Sequence, residues 1–228
     1  MEVQQNMSEY VVSPENSRAE IEAVIAAFLG ELERAVAQRK DASELMTAIQ
    51  AKREELALAY QDRAVDEYAR YNLQLTSVVL AAYQVLGDVW PHAELIALLR
   101  HALIDTTRAY VQQMTASSLD QAADPFKTMV AASKAREAHF FGAGFHFERE
   151  RDDDQAYLLN VRSCFYHNFF VDHEAPELTP LFCDYDANWI EAIDPARHGL
   201  RFERPTTIGY GGKFCPFHFY RTERGNRQ

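Results

Sequence analysis

The spacing of hydrophobic residues changes near residue 137, and that change restricts the architectures open to the chain. Before it, apolar residues recur at three- and four-residue intervals. Ile21, Val24, Ile25, Phe28, Leu29, Leu32 and Val36 make one such stripe, the period of a helix with one buried face. Beyond it, aromatic, β-branched and glycine residues dominate, and Phe145 and Phe147 alternate with His146 and Glu148, the period of a strand.

Local signals divide the helical part. Ser17 and Glu20 read as a capping box opening the first helix, and Asp41 with Glu44, or Ser43 slightly later, opens the second. A long helical run then extends to about Leu86, with a break expected near Tyr71–Asn72, and Gly87-Asp88 ends it. Pro91 suits the first turn of the next helix, because its missing N–H would be unpaired there anyway. Asp124-Pro125 repeats the start signal for a helix ending near Arg136.

In the second part, "EAHFFGAGFHFERE" and "QAYLLNVRSCFY" read as antiparallel strands around the acidic turn "RDDD". Residues 165–192 read as helical, interrupted at Ala175-Pro176. "LRFERPTTIGY" and "KFCPFHFYR" read as a second strand pair joined by Gly211-Gly212. Phe214, Pro216, His218 and Tyr220 share one face of the last strand, and Cys215, Phe217 and Phe219 the other. Pro216 argues for an edge strand or a bulge. The expected fold class is α+β: an N-terminal helical bundle, then an antiparallel sheet with packed helices. The expected division is a flexible lead-in over 1–16, a helical region over 17–136, and an α+β region over 137–228 that carries the site.

Composition excludes some functions. With 23 basic against 34 acidic residues the net charge is −11, and such a surface repels nucleic-acid backbones and anionic membranes. No run of 18 apolar residues suggests a transmembrane helix. The first residues have neither a basic nor an apolar signal region, so a cytoplasmic protein is expected. Three cysteines, an odd number without framework spacing, point to reduced thiols rather than a disulfide scaffold. The amphipathic helices offer a seam for a homodimer.

Residues with chemistry gather in the second part: Cys164 and His167; Cys183, Asp184 and Asp186; Arg204, Thr206 and Thr207; Cys215 and His218. Cys183 needs a nearby cation or base to become a nucleophile, since Asp184 and Asp186 alone raise its pKa. The plain alternative is a small buried apolar residue. Asp186 reads as a base or as a partner for a substrate cation, and Asp184 as the more exposed of the two. Arg204 offers a fork for a carboxylate, Thr206 and Thr207 offer hydroxyls, and Gly211 and Gly212 allow close backbone approach; the alternative is an ordinary hairpin turn. Cys164, Cys183 and Cys215 with one histidine make a second alternative, a zinc or iron site, although the spacing is long and no C-x-x-C pair is present.

The ordered segments "SCFYHNFF", "LFCDYD" and "FERPTTIGYGGKFCPFHF" resemble the L-2-amino-thiazoline-4-carboxylic acid hydrolase family over about residues 135–222. The resemblance assigns Cys164, Cys183 with Asp186, and then Arg204, Thr207, Gly211 or Gly212, Cys215 and Phe217 to the family series. It implies a cofactor-free hydrolase, or a rearranging enzyme, acting on the C–N or C–S bonds of a small cyclic amidine that bears a carboxylate, such as 2-aminothiazoline-4-carboxylate, which opens to a carbamoyl-cysteine, or a relative that has changed substrate. Cys183, Asp186 and Cys215 are then the expected catalytic residues. Arg204, Thr207, Gly211, Gly212, Cys164 and His167 are the expected substrate-binding residues. The competing function is a metal- or small-molecule-binding sensor domain with a Cys/His site.

Overall fold

The computed structural model describes residues 14–37 and 42–223. Most of the expected lead-in, and Asp41, lie outside them. Helices α1 (Pro14–Val36), α2 (Ala42–Tyr60), α3 (Glu67–Gly87), α4 (His92–Arg100), α5 (Thr106–Gln121) and α6 (Pro125–Arg136) come first. Strands β1 (His146–Asp152) and β2 (Ala156–Ser163) follow, then α7 (Phe165–Asp172), α8 (Thr179–Tyr185), α9 (Pro195–His198), β3 (Leu200–Glu203) and β4 (Cys215–Arg221). The fold is α+β, with one four-stranded antiparallel sheet in the order β1-β2-β4-β3.

The helical stripe predicted from spacing is the buried face of α1, where Ile21, Ile25, Phe28, Leu32 and Val36 are all in the core. α3 is the central helix, buried along most of its length. The same core takes in Phe165, Phe169 and Phe170 of α7 and Leu181 and Phe182 of α8, so both halves of the sequence contribute to it. A second cluster joins Leu119 and Phe126 to one face of the sheet through Tyr157, Leu159, Leu200 and Phe219. No helix among the described residues is long and apolar enough to cross a membrane.

Several local expectations are corrected. α1 already runs through Ser17, whose buried hydroxyl donates to the His139 carbonyl at 2.5 Å instead of capping. The break between α2 and α3 falls at residues 61–66, where Asp66 caps α3 through the Ala69 N–H. Asn72 lies inside α3. Its amide donates to the carbonyls of Phe140 and Phe141, and its oxygen accepts from Tyr166. Those carbonyls belong to a π-helical turn over Glu137–Phe141, so "EAHFF" extends α6 and is not strand. A buried Asn is tolerated in a helix interior when all its groups are paired.

β4 is an interior strand, not an edge. β3 nevertheless stops opposite His218, so at Pro216 only β2 lies alongside, and the missing N–H is tolerated there. β3 covers only "LRFE". The segment from Arg204 to Phe214 is therefore a long loop with a 3₁₀ turn over Ile208–Tyr210, not a tight hairpin.

Asp124 caps α6 through the Lys127 N–H and also binds both terminal nitrogens of Arg221 on β4 at 3.0 and 2.9 Å. The Arg221 hydrogen bond is the main reason its carboxyl sits below the ordinary 3.8. Asp124→Ala is expected to cost about 1–2 kcal/mol through the lost cap and pair. Because the folded-state pKa is depressed, this contribution is present above the ordinary value and is lost as pH falls through the folded one. Urea denaturation of wild type and variant at neutral and strongly acid pH checks both the size and the sign; a gap that does not narrow in acid refutes the assignment.

Candidate active site

Register gathers the cysteines at one end of the sheet. Val161 of β2 pairs with Cys215 at the start of β4, and three residues after Val161 the chain reaches Cys164, the residue before α7. The chain then turns through α7 and a 3₁₀ segment at Pro176–Leu178 into α8, which carries Cys183. The loop after β3 folds back over α8. Thr207 donates its hydroxyl to Cys183 Sγ at 3.1 Å, and the next residue, Ile208, donates its N–H to Cys215 Sγ at 3.2 Å. All three cysteines are free thiols.

Glycine permits this approach, at a position the sequence pattern did not single out. A Cβ on Gly209 would lie 2.7 Å from Cys183 Sγ, 2.9 Å from Thr179 Cγ2 and 3.1 Å from the Pro180 nitrogen. The expected glycines act otherwise. Gly211 has a φ of +84°, which suits a residue without Cβ. A Cβ on Gly212 would strike Thr206 at 2.8 Å. Their N–H groups donate to the carbonyls of Ile208 and Thr207, so they close the turn.

Arg204 ties the parts together. It donates from Nη1 to the Cys183 carbonyl at 2.9 Å and from Nη2 to Asp186 Oδ2 at 3.2 Å, and its guanidinium lies 4.4 Å from the centre of the Phe217 ring. That stacking is a cation–π contact. Its Nε is buried with no partner.

These neighbours set the thiols' acidity. Burial raises the Cys183 thiol above 9.0, opposed by the Thr207 hydroxyl, the Arg204 charge and the Gly209 N–H, while Asp186 adds to the rise. Burial pushes Cys215 up to about 11, against the Ile208 N–H and Arg204. Cys164 keeps some exposed surface, yet burial pushes its thiol up to about 12. Burial also raises the Asp186 carboxyl above 3.8, with Arg204 and Arg136 pulling it back. At neutral pH the three sulfurs rest as thiols, and Cys183 has three groups ready to stabilise its anion.

An open cleft of about 500 Å³ lies over Cys183, with Arg204, Thr206, Thr207, Tyr210, Phe202 and Asp184 among its walls. Cys183 is only 7% exposed, so its sulfur sits at the floor. Of the residues expected from sequence, Cys183, Arg204 and Thr207 line this cleft. Asp186, Cys164, Cys215, His167, Gly211 and Gly212 do not. His167 instead meets the first residue of α8, with Nδ1 3.2 Å from Thr179 Oγ1. Asp184, expected to be the more exposed acid, is no more open than Asp186, at 23% against 26% of the side chain. Asp184 pairs with Arg100 from the helical half and accepts the Tyr210 hydroxyl at 2.8 Å. Arg100 was invisible to motif reading, because its helix carries no pattern beyond amphipathicity. Among the described residues no group of three or more His, Cys, Asp or Glu is arranged to hold a metal ion.

Fold and cleft together define an α+β protein with a hydrogen-bonded thiol at the base of an open cleft. The chain belongs to the L-2-amino-thiazoline-4-carboxylic acid hydrolase family, whose model matches residues 70–219, about two thirds of the sequence. The family name points to a hydrolase. The match begins in α3, well before the cysteine motifs, and so includes Arg100. No curated protein and no solved structure matches the chain.

Proposed function

We propose that this protein hydrolyses a small cyclic amidine at its amidine carbon, with Cys183 as the nucleophile. The observation that carries the reading is Cys183 at the cleft floor with Thr207, Gly209 and Arg204 all disposed to favour its anion. A thiol raised by burial needs a base at neutral pH. The amidine supplies one, because its ring nitrogen takes the thiol proton and becomes an amidinium. The thiolate then adds to the amidinium carbon. The ring C–S bond breaks in a 2-aminothiazoline, the departing sulfur takes a proton, and carbon stays bound to Cys183 as an isothiourea. Water adds to that carbon, the Cys183 thiol leaves, and a carbamoyl group remains. The net change is one added water. Loss of the exocyclic nitrogen is the alternative C–N outcome and releases ammonia instead.

Asp186 is a positioning residue in this scheme. It holds Arg204 against the Cys183 carbonyl and its charge raises the thiol's pKa. Cys215, braced by the Ile208 N–H, supports the loop from beneath. The test is incubation with 2-aminothiazoline-4-carboxylate, followed by mass spectrometry of the product and of the intact protein. A product heavier by one water, and a transient Cys183 adduct, are expected. Ring opening without any dependence on Cys183 sinks the proposal.

Asp186→Asn removes a negative charge from beside the thiol, so the alkaline limb of kcat/KM, set by thiolate formation, moves to lower pH. Turnover is expected to fall about 10- to 100-fold as Arg204 loses its anchor. An unmoved alkaline limb removes Asp186 from the site. Thr207→Val deletes a donor to the sulfur, and its limb is expected to move the opposite way.

A further inference from the structure

Cys183 and Asp184 are consecutive residues of α8, and one short turn holds both. Thr207, where that turn starts, donates to Cys183 Sγ, and Tyr210, where it ends, lies 2.8 Å from both carboxylate oxygens of Asp184 and donates to them. The Tyr210 N–H closes the turn on the Thr207 carbonyl at 3.0 Å, so a single piece of loop grips the sulfur and the carboxylate. All four residues line the open cleft. Tyr210 is exposed, and the Asp184 side chain that it meets keeps 23% of its surface open.

Among the described residues lining the cleft, Asp184 is the one acid and Arg204 the one base. They are not equally available. The Arg204 side chain is 8% exposed, and its terminal nitrogens are committed to the Cys183 carbonyl and to Asp186. Asp184 is more open and has acceptor capacity left. A carboxylate has about four lone-pair sites. Arg100 takes one on Oδ2, and the shared Tyr210 hydroxyl takes one on each oxygen, which leaves a site on Oδ1. Arg100 does not line the cleft; it lines a smaller cavity of about 130 Å³, which Asp184 also borders together with Arg108 and Asn188. Asp184 thus stands between the two, with Arg100 bound from the side cavity and Tyr210 from the cleft.

The proposed reaction develops a charge that suits the open site. The substrate's ring nitrogen takes the Cys183 proton and becomes an amidinium, with positive charge spread over the carbon under attack and N–H donors on its nitrogens. A carboxylate one residue from the attacking sulfur can accept one of those N–H groups, and a hydrogen bond between ionised partners is roughly twice as strong as a neutral one. We propose that Asp184 receives the amidinium N–H of the substrate and so selects cationic amidines over neutral rings of the same shape. The inference rests on the Cys183 reading above and adds the group that recognises the charge. Tyr210 and Arg100 position the carboxylate.

Calorimetric titration of Cys183→Ser protein, in which no turnover consumes the probes, tests it at neutral pH. The probes are 2-aminothiazoline-4-carboxylate and 2-methylthiazoline-4-carboxylate, which has the same shape but lacks the amidine. The amino probe is expected to bind at least tenfold more tightly. Adding Asp184→Asn, with folding checked by thermal melting, is expected to abolish that preference. Adding Arg100→Met instead is expected to increase it, because the carboxylate loses its internal counter-charge. A mere bracing role for the Arg100–Asp184 pair predicts the reverse, a loss of binding in both variants, and that result overturns the proposal. If Asp184→Asn does not fold, the direction of the Arg100→Met change decides alone. Equal binding of the two probes, or a preference that survives Asp184→Asn, also overturns it and leaves the Cys183 reading standing. If neither probe binds, the Asp184 inference falls, and ring opening and adduct formation with the native thiol decide the Cys183 reading separately.

Discussion

Cys183→Ser is expected to lower kcat on the order of 10³-fold or more, about 4 kcal/mol of transition-state stabilisation, while the protein stays folded. An alkoxide is far harder to form than a thiolate, and the three groups around the sulfur are too weak to make up the difference. The fold is expected to survive because serine is the smaller residue and its oxygen still accepts the Thr207 hydroxyl. A stability loss of about 1 kcal/mol is reasonable for one altered buried hydrogen bond. Single-turnover mass spectrometry strengthens the test, since the variant is expected to form no adduct. Turnover near the wild-type rate in a well-folded Cys183→Ser protein removes covalent catalysis at this position.

Gly209→Ala is expected to lower activity about 100-fold and stability by about 1–3 kcal/mol, although it adds only one methyl group. That methyl has nowhere to go. Its carbon would lie 2.7 Å from Cys183 Sγ and 3.1 Å from the backbone nitrogen of Pro180, inside ordinary contact distance on both sides. The sulfur can swing away, but the Pro180 backbone cannot, so the loop must lift from α8. Lifting it withdraws the Gly209 N–H and the Thr207 hydroxyl together, and displacements near 1 Å at a reacting group cost on the order of 10²-fold. Overpacking of a tight contact accounts for the stability loss. Gly211→Ala, in contrast, meets nothing within 4 Å. It pays only for its positive φ and is expected to keep most of its activity if it folds. Equal activity losses in the two variants would show that the loop's conformation, and not its contact with Cys183, matters.

Both variants show how far the sequence could be read. Cys183 was legible because "LFCDYD" belongs to an ordered series shared with a family, and Thr207 and Arg204 came with it. Gly209 was not legible. "IGYGG" contains three glycines, and Gly211-Gly212 looked like the turn between two paired strands. The strand ended early, at Glu203, and the loop took the freed length across α8. The middle position of a 3₁₀ turn became the contact point, and the paired glycines became its closing hydrogen bonds. Asp184 and Asp186 were legible as a pair but not in their roles. Which acid faces the cleft depends on where α8 ends and on an arginine that arrives from elsewhere.

By itself the sequence determined the period of each segment, and therefore the α+β class, the buried faces of the helices, and the family through its cysteine series. These features depend on residues within a turn or two of each other, or on motifs kept in order. The tertiary structure alone decided which thiol lies at the floor of a cleft, which glycine touches it, and that Arg100, Arg108 and Asn188 shape a neighbouring cavity. The physical reason is distance along the chain. The Thr207–Cys183 contact spans 24 residues and the Arg100–Asp184 pair 84, and contacts of that span are set by strand register and helix packing, which no local pattern encodes.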